Sequence, residues 1–403
     1  MDTAMHDDAP SQSPLPAPDR EALEHSQRVT QRIRREIESC GGRITFQRYM
    51  QSALYEPGLG YYSAGARKFG RDGDFVTAPE LSPLFSRCVA RQCTQVLAAG
   101  GRDILEFGAG SGVMAGDVLA ALEAAGSLPD NYYILEVSAE LRQRQRHTLE
   151  QAIPGQLARV HWLERLPEGD FEGVVLANEV LDAFPVHRFY MMDAGMAGEY
   201  YVTWDGNGFA WQQGPVSGPD VQAAIDAIDR EVGLARLGRG YTSEVNVLLG
   251  HWMEGVSGFL KRGVVLTFDY GYPRREYYHP QRRDGTLMCH YRHHPHDNPL
   301  ILSGLQDITA HVDFTAAAEA AHRAGLAVAG YTNQANFLMA TGIHEMDHAP
   351  SEGDAQCQFD AAQQIKVLTL PQEMGELVKV MALTRGVDFP LLGFSLRDYR
   401  GRL

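Results

Sequence analysis

The run Glu106-Phe107-Gly108-Ala109-Gly110-Ser111-Gly112 joins an acid to three glycines spaced two apart. Without a Cβ at those positions, a turn between a strand and a helix lets a ligand approach the main chain closely, although a plain tight turn uses glycine too. The dinucleotide fingerprint G-x-G-x-x-G would need its third glycine at position 113, where Val113 stands, so nicotinamide chemistry is disfavoured. Further on, Glu136 ends a second apolar run. A carboxylate there can accept hydrogen bonds from both hydroxyls of an adenosine ribose. A third polar group, Asn178-Glu179-Val180-Leu181-Asp182, ends another apolar run, and open α/β sheets bind ligands at the carboxyl ends of their strands. Two carboxylates as close as Glu179 and Asp182 repel unless a cation lies between them.

These residues must be held by a scaffold, and the hydrophobic pattern supplies one. Short apolar runs at 103–107, 132–137, 159–163, 173–177 and 264–268 read as strands, with helices at 113–125 and 139–151 between the first of them. Such alternation predicts an α/β fold, a mostly parallel sheet with helices on both faces and right-handed crossovers. Helical periodicity also places helices at 19–39 and 81–98. Between them, 58–73 is rich in Gly, Tyr and basic residues and reads as a mobile loop. Asp74 and Thr77, just after it, are expected to close over a cofactor as a lid. The interruption 188–240 carries two aromatic runs around Asp205-Gly206-Asn207-Gly208, which predicts a β-hairpin. Helices are expected at 220–232 and 242–261, a long irregular segment at 272–308, and then helix 315–324, strand 326–331, helix 360–368 and strand 379–383. The expected organisation is a disordered tail 1–18, an N-terminal helical extension with the lid, 19–100, a core 101–388 interrupted at 188–240 and 272–311, and a C-terminal segment 389–403.

Composition narrows the function classes. The 403 residues are 44% hydrophobic and 22% charged, as suits a globular protein with a sizeable core. With 36 Lys and Arg against 51 Asp and Glu, the formal charge is −15, which repels phosphate backbones and argues against nucleic acid as a partner. Five scattered cysteines without a C-x-x-C fit reduced thiols in a cytoplasmic setting. No apolar run is long enough to span a membrane, and the start of the chain, with Asp2, Asp7 and Asp8, is unlike a targeting signal. His279, Cys289, His290, His293, His294 and His296 crowd one segment. Adjacent histidines diverge on the chain, so the segment is read as a substrate-facing loop, and no metal is expected.

The ordered blocks settle on a family. Thr45-Phe46, Tyr49-Met50, Ala53-Leu54-Tyr55 and Gly60-Tyr61-Tyr62 precede Gly73-Asp74-Phe75-Val76-Thr77-Ala78-Pro79-Glu80. The glycine run, Asn178-Glu179-Val180-Leu181-Asp182-Ala183, Val186-His187-Arg188-Phe189 and Phe268-Asp269-Tyr270-Gly271 follow. Gly285-Thr286-Leu287, Tyr291-Arg292-His293 and the stretch from Gln306 to Phe314 complete the set. From about Ile44 to its end the chain resembles the MidA-type methyltransferases, relatives of the mitochondrial complex I assembly-factor arginine methyltransferase. The resemblance implies a class I, Rossmann-like fold, S-adenosyl-L-methionine as cofactor and, for the mitochondrial relative, symmetric dimethylation of a protein arginine. On that reading Asp74, Thr77, Glu106, Gly108, Gly110, Gly112 and Glu136 hold the cofactor. Glu179 and Asp182 clamp a guanidinium, with Asn178 beside them. Asp269, Tyr270, His293, Asp307, His311 and Asp313 bind a protein substrate. A cofactor-binding assembly factor without turnover and a small-molecule N-methyltransferase stay open as alternatives, as does a homodimer.

Overall fold

The computed structural model describes residues 15–64, 77–346 and 355–403. Seven strands build the central sheet: β1 (Asp103–Phe107), β2 (Tyr132–Leu135), β3 (Val160–Leu163), β4 (Phe171–Asn178), β5 (Leu260–Tyr272), β6 (Ala327–Asn333) and β7 (Val378–Arg385). Their order is β6-β7-β5-β4-β1-β2-β3, and a short strand, Val312–Asp313, pairs with the end of β5. β3, β2, β1, β4 and β5 run parallel, and β7 is antiparallel to both of its neighbours. The direction of winding reverses between β1 and β4, which opens a crevice at their carboxyl ends.

Both faces of this sheet are covered, because successive residues of a strand point to opposite sides. Ile104, Val174, Leu176, Val264 and Leu266 enter one core. It is closed by α3 (Pro83–Ala98), α4 (Val113–Ala124) and α5 (Ala139–Ala152), through residues such as Phe85, Leu119 and Leu149. Their neighbours Leu105, Val175, Ala177 and Val265 enter the other, under α7 (Leu248–Phe259) and α8 (Phe314–Arg323). The α/β fold is thus as expected from the alternation of apolar runs.

A second, five-stranded sheet combines Arg43–Thr45, His187–Met191, Ala197–Trp204, Phe209–Gly214 and Thr242–Val245. The expected hairpin is there, and Asp205 Oδ1 closes its turn by accepting from the amides of Asn207 and Gly208. Helix α1 (Arg20–Ser39) buries Val29, Ile33 and Ile37 against α2 (Phe46–Tyr55) and this sheet. Caps start both helices: Asp19 accepts from the amide of Ala22, and Thr45 from that of Arg48. Helix α6 (Pro219–Val232) lies in the same insertion.

Two expectations fail. The helix placed at 242–261 splits: Thr242–Val245 is a strand paired with His187–Tyr190, and α7 begins only at Leu248. Edge pairing overrides the helical period there, and Asn246 Oδ1, accepting from Leu248 N, marks the restart. The segment 272–308 is not irregular. Met288–Tyr291 is the middle strand between His294–His296 and Asp307–Thr309. The tail expected at 1–18 lies mostly in residues 1–14, and most of the loop expected at 58–73, with Asp74, lies in 65–76, both outside the described residues. Among the described residues no helix is long and apolar enough to cross a membrane.

Candidate active site

A cleft of about 490 Å³ opens at the β1/β4 reversal. Its floor is the turn between β1 and α4, where Gly108, Gly110 and Gly112 all take positive φ (62°, 53° and 87°). That backbone suits glycine and strains other residues, so the spacing read from the sequence reflects a conformational need. Gly108 and Gly110 line the cleft, whereas Gly112 faces α5: a Cβ on it would lie 3.1 Å from Gln145 Cα. The turn delivers the N-terminus of α4, with its unpaired amides, to the same place.

Glu106 and Glu136 reach the cleft from the ends of β1 and β2. Burial pushes the Glu106 carboxyl up to about 7, although Tyr132 donates to it at 2.7 Å. Burial raises Glu136 as well, against the donors Ser138 N (2.8 Å) and Gln145 Nε2 (3.1 Å). Gln145, fully buried on α5, is a joint that the motifs did not show. Its Nε2 also donates to Gly110 O at 3.1 Å, and its Oε1 accepts from Trp162 Nε1 at 2.9 Å. One amide therefore ties the glycine turn to the acid at the end of β2.

At the end of β4, Asn178 and Glu179 line the cleft. Glu179 holds φ +51°, rare for a non-glycine residue and a form of strain that collects at functional sites. Two devices on β5 keep it there. Glu179 N donates to Phe268 O at 2.8 Å. Asp269 Oδ2 accepts from the amides of Val180, Leu181 and Asp182 at 3.2, 2.8 and 3.4 Å, and Oδ1 from Tyr270 N at 2.9 Å. Burial, then the nearby Asp182, pushes the Glu179 carboxyl up to about 8. Asp182 is raised well above its ordinary value by burial, then by Asp269 and Asp307. Burial raises Asp269 too, to about 8, so Glu179, Asp182 and Asp269 form a cluster of suppressed negative charge beside Asp307.

Aromatic side chains close the opposite wall. Tyr55 from α2 and Tyr62 just beyond it stack at 5.4 Å between centroids. The Tyr55 hydroxyl donates to Ala183 O at 2.9 Å, and that of Tyr62 to Asp307 Oδ1 at 2.7 Å. Trp252 of α7 packs against Phe107 and Phe184, and Ser111 Oγ donates to the Glu80 carboxylate.

The residues expected to act here are thus distributed in three ways. Thr77, Glu106, Gly108, Gly110, Glu136, Asn178 and Glu179 share the cleft. Asp182, Asp269 and Asp307 are buried behind it, so the substrate contact expected of Asp269 is replaced by support of the Glu179 loop. The rest lie elsewhere. Tyr270 does not line the cleft, and His293 is exposed on the turn between two strands of the small sheet. His311 and Asp313 line a second cavity, where Asp313 caps α8 and pairs with Arg274. Asp313 is held there because a helix start needs an acceptor, which a reading of sequence order cannot tell from a substrate contact. Sequence reasoning missed Tyr55, Tyr62, Glu80, Gln145 and Trp252 as site residues. Tyr55, Tyr62 and Glu80 stood inside recognised blocks, whereas Gln145 and Trp252 did not. Among the described residues no group of three or more His, Cys, Asp and Glu side chains could hold a metal ion.

Comparison with known proteins adds three findings. Residues 88–332 match the profile of a family described as "putative S-adenosyl-L-methionine-dependent methyltransferase". A Burkholderia thailandensis crystal structure bound to S-adenosyl-homocysteine is 45% identical, with a TM-score of 0.91, covering 97% of this chain and 100% of that one. Among curated proteins, the Drosophila melanogaster homologue of the mitochondrial protein arginine methyltransferase NDUFAF7 is 26% identical over 91% of this chain and 88% of its own. The Rattus norvegicus protein of that name is 29% identical over 85% and 81%.

Proposed function

Because the chain belongs to the S-adenosyl-L-methionine-dependent methyltransferase family whose profile it matches, we propose that its substrate is an arginine side chain of a partner protein. The observation that carries this reading is the acidic end of β4, where Glu179 opens onto the cleft with Asp182, Asp269 and Asp307 behind it. So dense a group of carboxylates favours a cation. The names of the curated relatives, which are protein arginine methyltransferases, agree with it.

The residues fit the cofactor. The glycine turn leaves the main chain open, and Glu136 would accept from the sugar hydroxyls. When bound, the cofactor supplies a sulfonium methyl group. The protein's part is to align a nitrogen with it at near-attack distance and to exclude water. A guanidinium stays protonated, so its nitrogens are poor nucleophiles. Glu179, bonded to two of them, would bias the charge toward that pair and leave the third richer in electrons. A carboxyl held near 8 can also take the proton that the methylated nitrogen releases. Asn178 Nδ2, 3.4 Å from Glu179 Oε1, orients the carboxylate, and Asp269 fixes the loop that carries it. Among the described residues Cys40, Cys88, Cys93 and Cys289 are free thiols, which supports a reducing compartment such as the cytoplasm.

The test is incubation with labelled S-adenosyl-L-methionine and a lysate lacking this protein, followed by mass spectrometry. Label on a protein arginine is the expected result. Label on no protein, or on small amines alone, would overturn the assignment.

A further inference from the structure

A hydroxyl that has already given its proton away can offer a ligand only lone pairs. Both tyrosines of the cleft are in that state. Tyr55 donates to the carbonyl of Ala183 and Tyr62 to the carboxylate of Asp307, at 2.9 and 2.7 Å. Neither proton is lost to solvent at ordinary pH, since burial raises both phenols far above their usual range. Ser63, in the same lining, donates to Tyr55 O at 3.3 Å. Across the cleft, Asn178 turns one amide hydrogen toward Glu179 and keeps its oxygen and its second hydrogen for a ligand, and Glu179 only accepts once it is ionised, above about pH 8. The described lining also holds donors: Trp252 Nε1, buried and unpartnered beside Phe107 and Phe184, the Thr77 hydroxyl, and Gln51, one turn before Tyr55, whose amide serves donors and acceptors alike.

We propose that Tyr55 and Tyr62 are specificity-determining residues: with their protons committed to Ala183 and Asp307, the two hydroxyls can only accept, and the wall they form selects a ligand with many N–H donors, a guanidinium, over a neutral urea of the same shape. This rests on the arginine reading above and adds to it the residues that enforce the choice. A guanidinium presents five N–H donors and no acceptor. A urea has a carbonyl oxygen where the guanidinium has a nitrogen, and at this wall that oxygen would face the lone pairs of two hydroxyls that have no proton to offer it. Leaving a buried acceptor unpaired is costly, so the wall rejects as well as attracts. The stacked rings, 5.4 Å apart and inclined at 28°, keep both oxygens in place without help from the ligand.

The experiment uses the full chain saturated with S-adenosyl-homocysteine. Binding of Nα-acetyl-arginine N-methylamide and of its citrulline counterpart is followed by ligand-observed NMR at about pH 9, where Glu179 is ionised. Wild type should hold the arginine compound far more tightly. Tyr55→Phe and Tyr62→Phe keep the rings and their stacking. Each should weaken arginine binding about tenfold, the loss of one hydrogen bond to a charged group, and leave citrulline binding unchanged. Asp307→Asn should act in the opposite sense. Its amide can donate to the Tyr62 oxygen, which frees the hydroxyl proton to turn toward the ligand, so citrulline affinity rises. A merely structural role would shift both ligands alike and would disturb S-adenosyl-homocysteine binding. Wild-type selectivity that survives in all three variants overturns the proposal, as does equal affinity for, or no binding of, the two probes by wild type. Arginine labelling in the lysate experiment is read separately, so failure of the wall leaves the methyltransferase assignment standing.

Discussion

Glu179 carries the sharpest expectations. In the folded protein its carboxyl holds a proton up to about pH 8, against an ordinary 4.5. A clamp on a guanidinium needs the anion, so kcat/KM for an arginine substrate should climb between pH 6 and 8 and level off above. Glu179→Gln should cut kcat about 100-fold or more, abolish that rise, and leave cofactor affinity within about threefold, as calorimetry can check. The same group makes a stability statement of definite sign. Its folded pKa is raised, so the contribution to stability is fully present below 4.5 and is lost as pH passes through about 8. Without its cofactor, Glu179→Gln should therefore melt above wild type at pH 9, with the gap closing toward pH 4 in a thermal-shift series. A gap of the opposite sign would show the carboxyl to be ionised from the start. The sequence disclosed that an acid stands at this strand end. It did not disclose the raised pKa, which comes from burial and from Asp182, a neighbour whose closeness depends on the left-handed turn at Glu179 itself.

At the scale of elements, the turn from β1 to α4 works only because α5 reaches back to it. Gln145 joins Gly110 O, Glu136 and Trp162. Gln145→Leu keeps the volume but removes one of the donors to the buried Glu136 and leaves the half-buried Trp162 Nε1 without its acceptor. We expect cofactor affinity to fall about tenfold, measured by calorimetry with S-adenosyl-homocysteine, at little cost to the far-ultraviolet spectrum. Gly112→Ala puts an L residue at φ +87° and a methyl 3.1 Å from Gln145 Cα. Denaturant unfolding should show a loss of about 1–3 kcal/mol. The glycine spacing was legible because it answers a local backbone demand. Gln145 was not legible, since one polar residue on an amphipathic helix gives no sign of facing inward. The strand Thr242–Val245 escaped for a similar reason: its partner, His187–Tyr190, is remote in sequence, and the local period favoured a helix.

For the whole molecule, the net charge of −15 adds a long-range field to the local acid cluster. A basic peptide should be drawn in by that field, so its KM should rise severalfold between about 50 and 300 mM salt while kcat holds, and a neutral peptide carrying one arginine should change little. An equal salt effect on both would remove steering from the account. The amino-acid order by itself determined the α/β sheet, the glycine turn and the acids at the ends of β1, β2 and β4, because each is encoded by residues next to one another and by a repeating apolar period. Only the tertiary structure decided which carboxylates face the cleft and which lie behind it, and it alone brought Tyr62 to Asp307, 245 positions away. Those outcomes depend on how α1, α2 and the two sheets pack. The physical reason is that burial and hydrogen-bond partnership are properties of a side chain's surroundings, and most of those surroundings come from distant parts of the chain.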